Sequence, residues 1–460
     1  MKKIIDPVIT VYITNKNYEQ YLEKAIKSVL KQSFKLKELI IIDDASTDSS
    51  KEIINRYRKD NLCKAIFNKV SKGLIKSSNI AIKAARGEYV IRLDADDYFD
   101  PNALSVLYNT INKEKNTALV YSDYYLIDAK DNILSLEKQL LRKNNNLDHL
   151  PVLAACCLIR KNALFSVNLY DERFTRQDGY DLWYKLLENF QFKHVSLPLF
   201  YYRKHGHNLT INKKKLFTTR TRILNKFSNL KKITNKIKII CVIPVRGKKA
   251  DINCNSLELF KGQPLLFHTI NEALKIKQFK KIIITTFDDE LIKVLRKKYK
   301  KLIYIHKRKE ILSSINMDYK ESVINAINHY EKTNPDVVVI LTFENPLRTK
   351  HYIEQGISNL IIHNSDLVIG TSPDFENNYY KFGSNGIKSL TNQKNKKLKL
   401  EKNIIHKDVG AFSVLRFIPY LNNKINKIKN IILDKNDSYI INDKQELLNL
   451  NKIKKNKWKF

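Results

Sequence analysis

Two apolar rhythms alternate along the first 110 or so residues. Strand-length segments, Val8 to Ile13, the continuous Leu39 to Ile42, and Tyr89 to Leu93 with its apolar run Tyr89-Val90-Ile91, are separated by stretches of helical period. Between Tyr18 and Leu30 the apolar positions are Tyr21, Leu22, Ala25, Ile26, Val29 and Leu30, a single helical stripe. Asn79 to Ala85 predicts a second helix, stopped by Gly87, and Asp100-Pro101 supplies a cap and a first-turn proline for a helix from Asn102 to Ile111. This βαβ rhythm predicts an open, mostly parallel α/β sheet, whose ligands bind beyond the carboxyl ends of the strands. The rhythm restarts at Ile237, with strands Ile239 to Ile243, Lys281 to Thr286 and Val337 to Leu341, and helices Leu265 to Ala273 and Asp289 to Tyr299. The expected organisation is therefore two α/β domains, 1–210 and 237–460, joined by a basic helical linker, 211–236.

The linker carries cations and no acid, with apolar residues at Leu216, Phe217, Ile223, Leu224, Phe227, Leu230 and Ile233. Two readings fit: a connector helix packed between the domains, or a basic amphipathic helix lying on an anionic membrane. Charge does not decide between them, because the whole chain of 460 residues has a formal net charge of +36. Lys, Asn, Ile, Tyr and Phe are all abundant and share A/T-rich codons, so genome composition accounts for much of that excess. Phosphorylated substrates or an anionic surface are better electrostatic partners than nucleic acid, which is not expected to bind. No run of about 18 apolar residues predicts a membrane span. The five cysteines have no metal-like spacing, and a reducing cytoplasmic setting is expected.

Against this basic background, acid gathers at two predicted strand ends: Asp43-Asp44 in DDASTD, and Asp94, Asp96 and Asp97 in RLDADD. Adjacent carboxylates repel unless a cation lies between them. Asp94 and Asp96, one residue apart in extended chain, project to the same side, a spacing suited to a divalent ion bridged to phosphates. The plainer reading is that these are turn and cap residues.

The stretches VYITNKNYEQYLEKAIKSVLKQSF, ELIIIDDASTDSS, SNIAIKAARGEYVIRLDADDYFDPNAL and QDGYDLWYKL occur in that order. Together they resemble the inverting family 2 glycosyltransferases of the GT-A fold over roughly residues 5–210. The resemblance implies transfer of a sugar from a nucleotide-diphosphate sugar donor to the hydroxyl of a glycan or lipid-linked glycan acceptor, with Mg²⁺ or Mn²⁺ as cofactor. It implies donor contacts at Thr14, Asn17, Asp43, Asp44, Lys76 and Asp94, with Asp94 and Asp96 holding the metal. Asp178 is implied as the general base, with Asp181 the alternative; Gly179 stands where the family's second acid would be. Arg203 and His205 match a segment near the acceptor or diphosphate, though a structural histidine is an equal reading. The chain departs from the family at Ser78, where an arginine is frequent.

A second set, IICVIPVRGKK, GQPLLFHTINEAL, VVVILTFENPLRTKHYIEQGI, SDLVIG, VGAFSV and SYIINDKQELLNL, resembles the cytidylyltransferases that activate acidic sugars with CTP. That resemblance implies a nucleotidyltransferase-like α/β domain, with Arg246, Lys248, Lys249 and Arg348 as nucleotide candidates. Its catalytic positions are eroded. Ala250 and Asn255 replace loop lysines, Thr342-Phe343-Glu344 precedes NPLR where the family has a glutamine and small residues, and Ile440 and Asn442 fall at metal-binding aspartates, with Asp443 adjacent. The expectation is an active glycosyltransferase fused to a degenerate cytidylyltransferase-like domain, serving bacterial surface polysaccharide assembly. The alternatives are a bifunctional enzyme that also activates an acidic sugar, and a non-catalytic glycan- or nucleotide-binding adaptor.

Overall fold

A computed structural model describes residues 7–139, 154–175, 178–206, 213–230, 237–247, 255–313, 318–374, 380–383, 386–389 and 405–452. The chain divides into two compact units, Met1–Arg220 and Thr221–Phe460.

The first unit runs β1 (Ile9–Asn15), α1 (Glu19–Leu30), β2 (Lys37–Asp43), α2 (Ser50–Tyr57), β3 (Cys63–Phe67), α3 (Leu74–Ala84), β4 (Tyr89–Asp94), β5 (Tyr98–Phe99), α4 (Ala103–Ile111), β6 (Thr117–Ile127), β7 (Ile133–Glu137), β8 (Leu158–Arg160), α5 (Lys161–Ser166), α6 (Asp178–Leu187) and β9 (Gln191–Arg203). Its sheet has the order β3-β2-β1-β4-β8-β6-β9-β5, with β7 beside β6. The β3-β2-β1-β4 half is parallel. Strand β8 then runs antiparallel to both β4 and β6. The expected α/β class and GT-A arrangement hold, but the sheet is mixed and not mostly parallel, since apolar runs carry no record of strand direction. The runs in β1, β2 and β4 are buried because helices cover them: Leu22, Ile26 and Val29 of α1 and Leu104 and Leu107 of α4 join Ile9, Val11, Leu39, Ile41 and Ile91 in one core. Helix α3 starts five residues before the predicted Asn79; its buried face there is Ile75, Ser77 and Ser78, and the two serines break the apolar pattern.

One polar junction fixes this half. Glu38 accepts from Thr10 Oγ1 at 2.6 Å, from the Arg86 backbone N–H at 2.7 Å and from Arg86 Nε at 2.9 Å. Gly87 lies so close to β1 that a Cβ there would stand 2.6 Å from the Thr10 nitrogen, which no side chain fits. Burial pushes the Glu38 carboxyl up, but the hydrogen bonds from Thr10 and Arg86 outweigh it and hold the group below its usual range. A depressed folded pKa stabilises the protein above the unfolded value of about 4.3, and that contribution is lost as pH falls through the folded value. Glu38→Gln is expected to cost about 1–3 kcal/mol at pH 7 and to flatten the stability loss below pH 4; urea unfolding across pH measures both.

The helix α7 (Lys213–Leu230) passes the boundary between the units. Within the second unit its Ile223, Leu224 and Phe227 are buried. Thr221 Oγ1 accepts from Gln355 Nε2 at 3.2 Å, and Asn225 Oδ1 accepts from Ser358 Oγ at 2.8 Å. That part of the apolar stripe is used inside the fold, which favours the connector reading over a lipid-facing one.

The second unit continues with β10 (Ile239–Pro244), β11 (Leu259–Phe260), β12 (Gln263–Pro264), α8 (Leu265–Leu274), β13 (Phe279–Thr286), α9 (Asp289–Tyr299), β14 (Tyr304–Lys307), α10 (Tyr319–Tyr330), β15 (Val337–Leu341), α11 (Lys350–Ile362), β16 (Leu367–Asp374), β17 (Tyr380–Gly383), β18 (Gly386–Ser389), β19 (Ile405–Arg416), α12 (Phe417–Leu421), β20 (Ile428–Ile432) and α13 (Lys444–Lys452). Its main sheet, β14-β13-β10-β15-β19-β16-β20, repeats the design of the first: four parallel strands, then an antiparallel one, β19. Among the described residues no helix is long and apolar enough to cross a membrane.

Candidate active site

Strand register brings the first unit's predicted residues to one sheet edge. Thr14 pairs with Ile42 on one side and Asp94 on the other, and Asn15 pairs with Asp43. Asn17 follows β1 with φ +58°, a conformation asparagine tolerates well. Its Oδ1 accepts from the Thr47 backbone N–H at 2.8 Å, tying β1 to the loop after β2. Asp43 is buried and structural, accepting from Asn15 Nδ2 at 2.9 Å and Ser46 N at 3.0 Å.

Asp44 is more heavily engaged than its predicted role implies. It accepts from Lys72 N at 2.7 Å, Gly73 N at 2.8 Å, Ser71 Oγ at 2.7 Å, Asn68 Nδ2 at 2.8 Å and Ser77 Oγ at 3.3 Å. Burial pushes its pKa up, yet these donors prevail and lower it. A nucleobase N–H reaching Asp44 must displace part of the segment 68–77. Lys76 is exposed, with Glu172 at 4.0 Å. Buried Asn79 bonds Tyr170 through both its amide groups and Glu172 through Nδ2, so α3 is tied to the segment preceding α6.

The acid cluster lies at the end of β4. Asp94 Oδ1 is 3.0 Å from Arg92 Nε. Asp96 Oδ2 meets His205 Nε2 at 2.9 Å, and the His205 ring stacks on Tyr21 and meets Tyr18 edge-on. Asp97 is buried. Its Oδ1 accepts from the Arg203 backbone N–H at 2.8 Å, while Oδ2 has no hydrogen-bond partner among the described residues. Burial, with Asp96 and Asp94 alongside, pushes Asp97 well above the usual carboxylate range. Burial and the same three acids raise Tyr18 above its ordinary value. Three carboxylates thus lie close together with an orphaned oxygen on Asp97, an arrangement that a cation fits. Among the described residues no three His, Cys, Asp or Glu side chains form a metal-ligand set. The fit is to an ion held by one or two carboxylates, with other ligands brought by a diphosphate or water.

Arg203 is not arranged as a ligand contact. Its guanidinium donates to the backbone oxygens of Asp96 at 2.8 Å and Asp128 at 3.1 Å and to Asp131 Oδ1 at 2.6 Å, and it lies 4.5 Å above the Tyr21 ring. It is a strut that holds the acid loop, and of the two residues predicted for the acceptor side only His205 reaches the acid cluster through its imidazole. Helix α6 begins at Asp178, whose side chain lies outside the described residues. Asp181 is buried, with Lys185 Nζ at 3.4 Å. A Cβ on Gly179 would stand 3.1 Å from Trp183 Nε1, so the fold leaves little room for an acid there. Sequence reasoning counted Asp97 in the acid cluster without giving it a role and passed over Arg92, although both stand in RLDADD; the two-residue spacing from Arg92 to Asp94 on a strand was the available signal.

In the second unit Gly247 has φ +98°, and a Cβ on it would meet Asp288 Cβ at 2.7 Å, so the turn after β10 requires glycine. Arg246 is half-buried beside it; Lys248, Lys249 and Ala250 lie outside the described residues. Arg348 is buried and donates to the backbone oxygens of Thr342 at 3.2 Å and Ala411, and to Thr269 Oγ1 at 3.0 Å. Burial pulls it down to about 10. It therefore braces β15 and β19 in place of the predicted nucleotide contact.

Residues 10–174 match the model of glycosyl transferase family 2, and residues 240–458 match that of a cytidylyltransferase. The family 2 match covers most of the first unit. Among curated relatives, chondroitin synthase of Escherichia coli is 27% identical over 210 residues, 45% of this chain and 30% of that protein. Hyaluronan synthase of Pasteurella multocida is 28% identical over 214 residues, 45% of this chain and 21% of that protein. An uncharacterized glycosyltransferase of Methanocaldococcus jannaschii is 28% identical over 244 residues, 50% of this chain and 83% of that protein. The chain spans less than a third of the length of the two synthases.

Proposed function

We propose that the first unit is a metal-dependent transferase. It moves a sugar from a nucleoside-diphosphate donor to a hydroxyl of a glycan or lipid-linked glycan, with inversion, in polysaccharide assembly. The observation that carries this reading is the acid cluster Asp94, Asp96 and Asp97 at the carboxyl end of β4, inside the segment that matches the family model. Bound Mg²⁺ or Mn²⁺ would supply charge stabilisation of the leaving diphosphate. Asp94 and Asp96 would hold it, His205 would orient Asp96, and Asn17 and the loop after β2 would shape the donor pocket. Inversion needs one base across the sugar from the diphosphate to take the acceptor proton. Asp178 at the start of α6 suits this better than Asp181, which is buried against Lys185. A hold on an anionic membrane at the cytoplasmic face would come from exposed cations such as Lys215 and Arg222, not from the buried part of the α7 stripe.

The test is a screen of nucleotide-sugar hydrolysis and transfer with Mn²⁺ and with EDTA. A donor turned over only with metal is the expected result; full activity in EDTA overturns the metal role. With that donor, Asp178→Asn should lower kcat about 10²-fold or more with donor binding retained. If Asp181→Asn does so instead, the base lies one turn further along α6.

The match of residues 240–458 to a cytidylyltransferase favours a second reading, a bifunctional enzyme that also activates a sugar with CTP.

A further inference from the structure

The strand that carries the metal acid also carries its counter-ion. Arg92 Nε lies 3.0 Å from Asp94 Oδ1, and Nη2 lies 3.4 Å from Oδ2. The Arg92 side chain is 6% exposed against 26% for Asp94, so the guanidinium reaches Asp94 from inside the protein. Alternation along β4 puts residues 92 and 94 on one face, and the rungs to β1 set them opposite Tyr12 and Thr14. The Arg92 backbone oxygen accepts from Cys156 N at 2.9 Å, which anchors the strand at that point.

The guanidinium lies against both Asp94 oxygens, with a hydrogen bond from Nη2 to Oδ2 at 3.4 Å, and so crowds the approach that a metal would use. It also opposes an incoming dication by like charge. Asp96 has one oxygen on His205, so a bare ion meets two carboxylates that each already have a partner. A nucleoside diphosphate meets the opposite situation. The same buried cation attracts its phosphates, and the phosphates supply the oxygens that the protein lacks.

We propose that Arg92 is a positioning residue that makes cation binding conditional on the nucleoside diphosphate, discouraging the free ion at Asp94 and favouring the metal–diphosphate pair. This rests on the metal-dependent reading of Asp94 and Asp96 above.

The experiment titrates Mn²⁺ onto the full chain by electron paramagnetic resonance, alone and with saturating UDP, GDP, CDP or dTDP. Wild type should bind Mn²⁺ weakly alone and much more tightly with its preferred nucleotide. Arg92→Met should bind Mn²⁺ alone about tenfold more tightly, as loss of one neighbouring like charge predicts, and should bind the nucleotide more weakly in EDTA. Arg92→Lys, which keeps the charge and loses the Nη2 hydrogen bond, should fall between. A general structural loss would weaken Mn²⁺ binding, not strengthen it. Unchanged Mn²⁺ affinity in Arg92→Met overturns the proposal. Should that variant lack a thermal unfolding transition, Arg92→Lys decides: reduced nucleotide–metal coupling supports the proposal and wild-type coupling overturns it. Failure of wild type to bind Mn²⁺ with any of the nucleotides overturns the metal reading, and the role of Arg92 with it.

Discussion

Asp96→Asn is expected to reduce sugar transfer by about 10²–10³-fold, the scale of losing one electrostatic group at a developing charge, with the fold retained. The two halves of that result have separate physical sources. The fold depends on the Asp96 backbone, whose oxygen takes the Arg203 Nε at 2.8 Å, and not on its charge. On the proposed metal reading, catalysis depends on the carboxylate, which meets His205 and lies beside Asp94 and Asp97. An amide keeps the size and can still bond His205, but it halves the anionic ligation available to the metal. Initial-rate transfer assays beside thermal melts separate the two. Full activity in Asp96→Asn would exclude the proposed metal role; lost activity with a collapsed melting transition would show a structural role instead.

The contrast between Asp96 and its neighbours shows what the sequence could reveal. The ends of β1, β2 and β4 were legible because a buried parallel strand reads as a largely apolar run, broken in β4 only by Arg92 before its final acid, and the acids at the ends of β2 and β4 mark their carboxyl ends. The direction of β8, antiparallel to both neighbours, was not legible, because a three-residue strand carries no directional signal. Asp44 was correctly placed at a strand end, yet its five donors come from residues 68–77, and only tertiary closure brings those groups to it. Arg203 and Arg348 illustrate the same limit for cations. An arginine in a family segment can give its donors to a ligand or to backbone carbonyls, and composition is identical in the two cases. Here both are buried and bond carbonyls. Arg92 was overlooked for the opposite reason: within an apolar strand it looked like an interruption, while its position two residues before Asp94 put it on the same face.

The second unit is expected to release no pyrophosphate from CTP at a useful rate, even though it matches a cytidylyltransferase model over residues 240–458. Nucleotidyl transfer needs the α-phosphate held in line with an attacking hydroxyl, with cations absorbing the developing charge. The frame for this is present in the glycine turn after β10 and in the β15–β19 pair, but the charges in it serve other ends. The Arg348 guanidinium is directed to the Thr342 and Ala411 carbonyls. Asp443 Oδ1 accepts from Glu446 N at 2.7 Å, capping α13, and Glu446 in turn accepts from Asn442 N at 2.7 Å. These residues form a helix-start motif, and Ile440 beside them has no ligand atom. Glu344, before the NPLR segment, offers a buried carboxyl, pushed upward by burial, and no cation for a triphosphate. Each missing group costs about 10²–10³ in rate, and their losses compound. The assay incubates the full chain with CTP, Mg²⁺ and panels of nine-carbon and eight-carbon acidic sugars and measures pyrophosphate. Release that requires both a sugar and Arg246 would overturn the expectation and establish the bifunctional reading. Silence together with measurable nucleotide or sugar binding would mean that the unit has kept the recognition surface of its fold and lost the charge that made it catalytic.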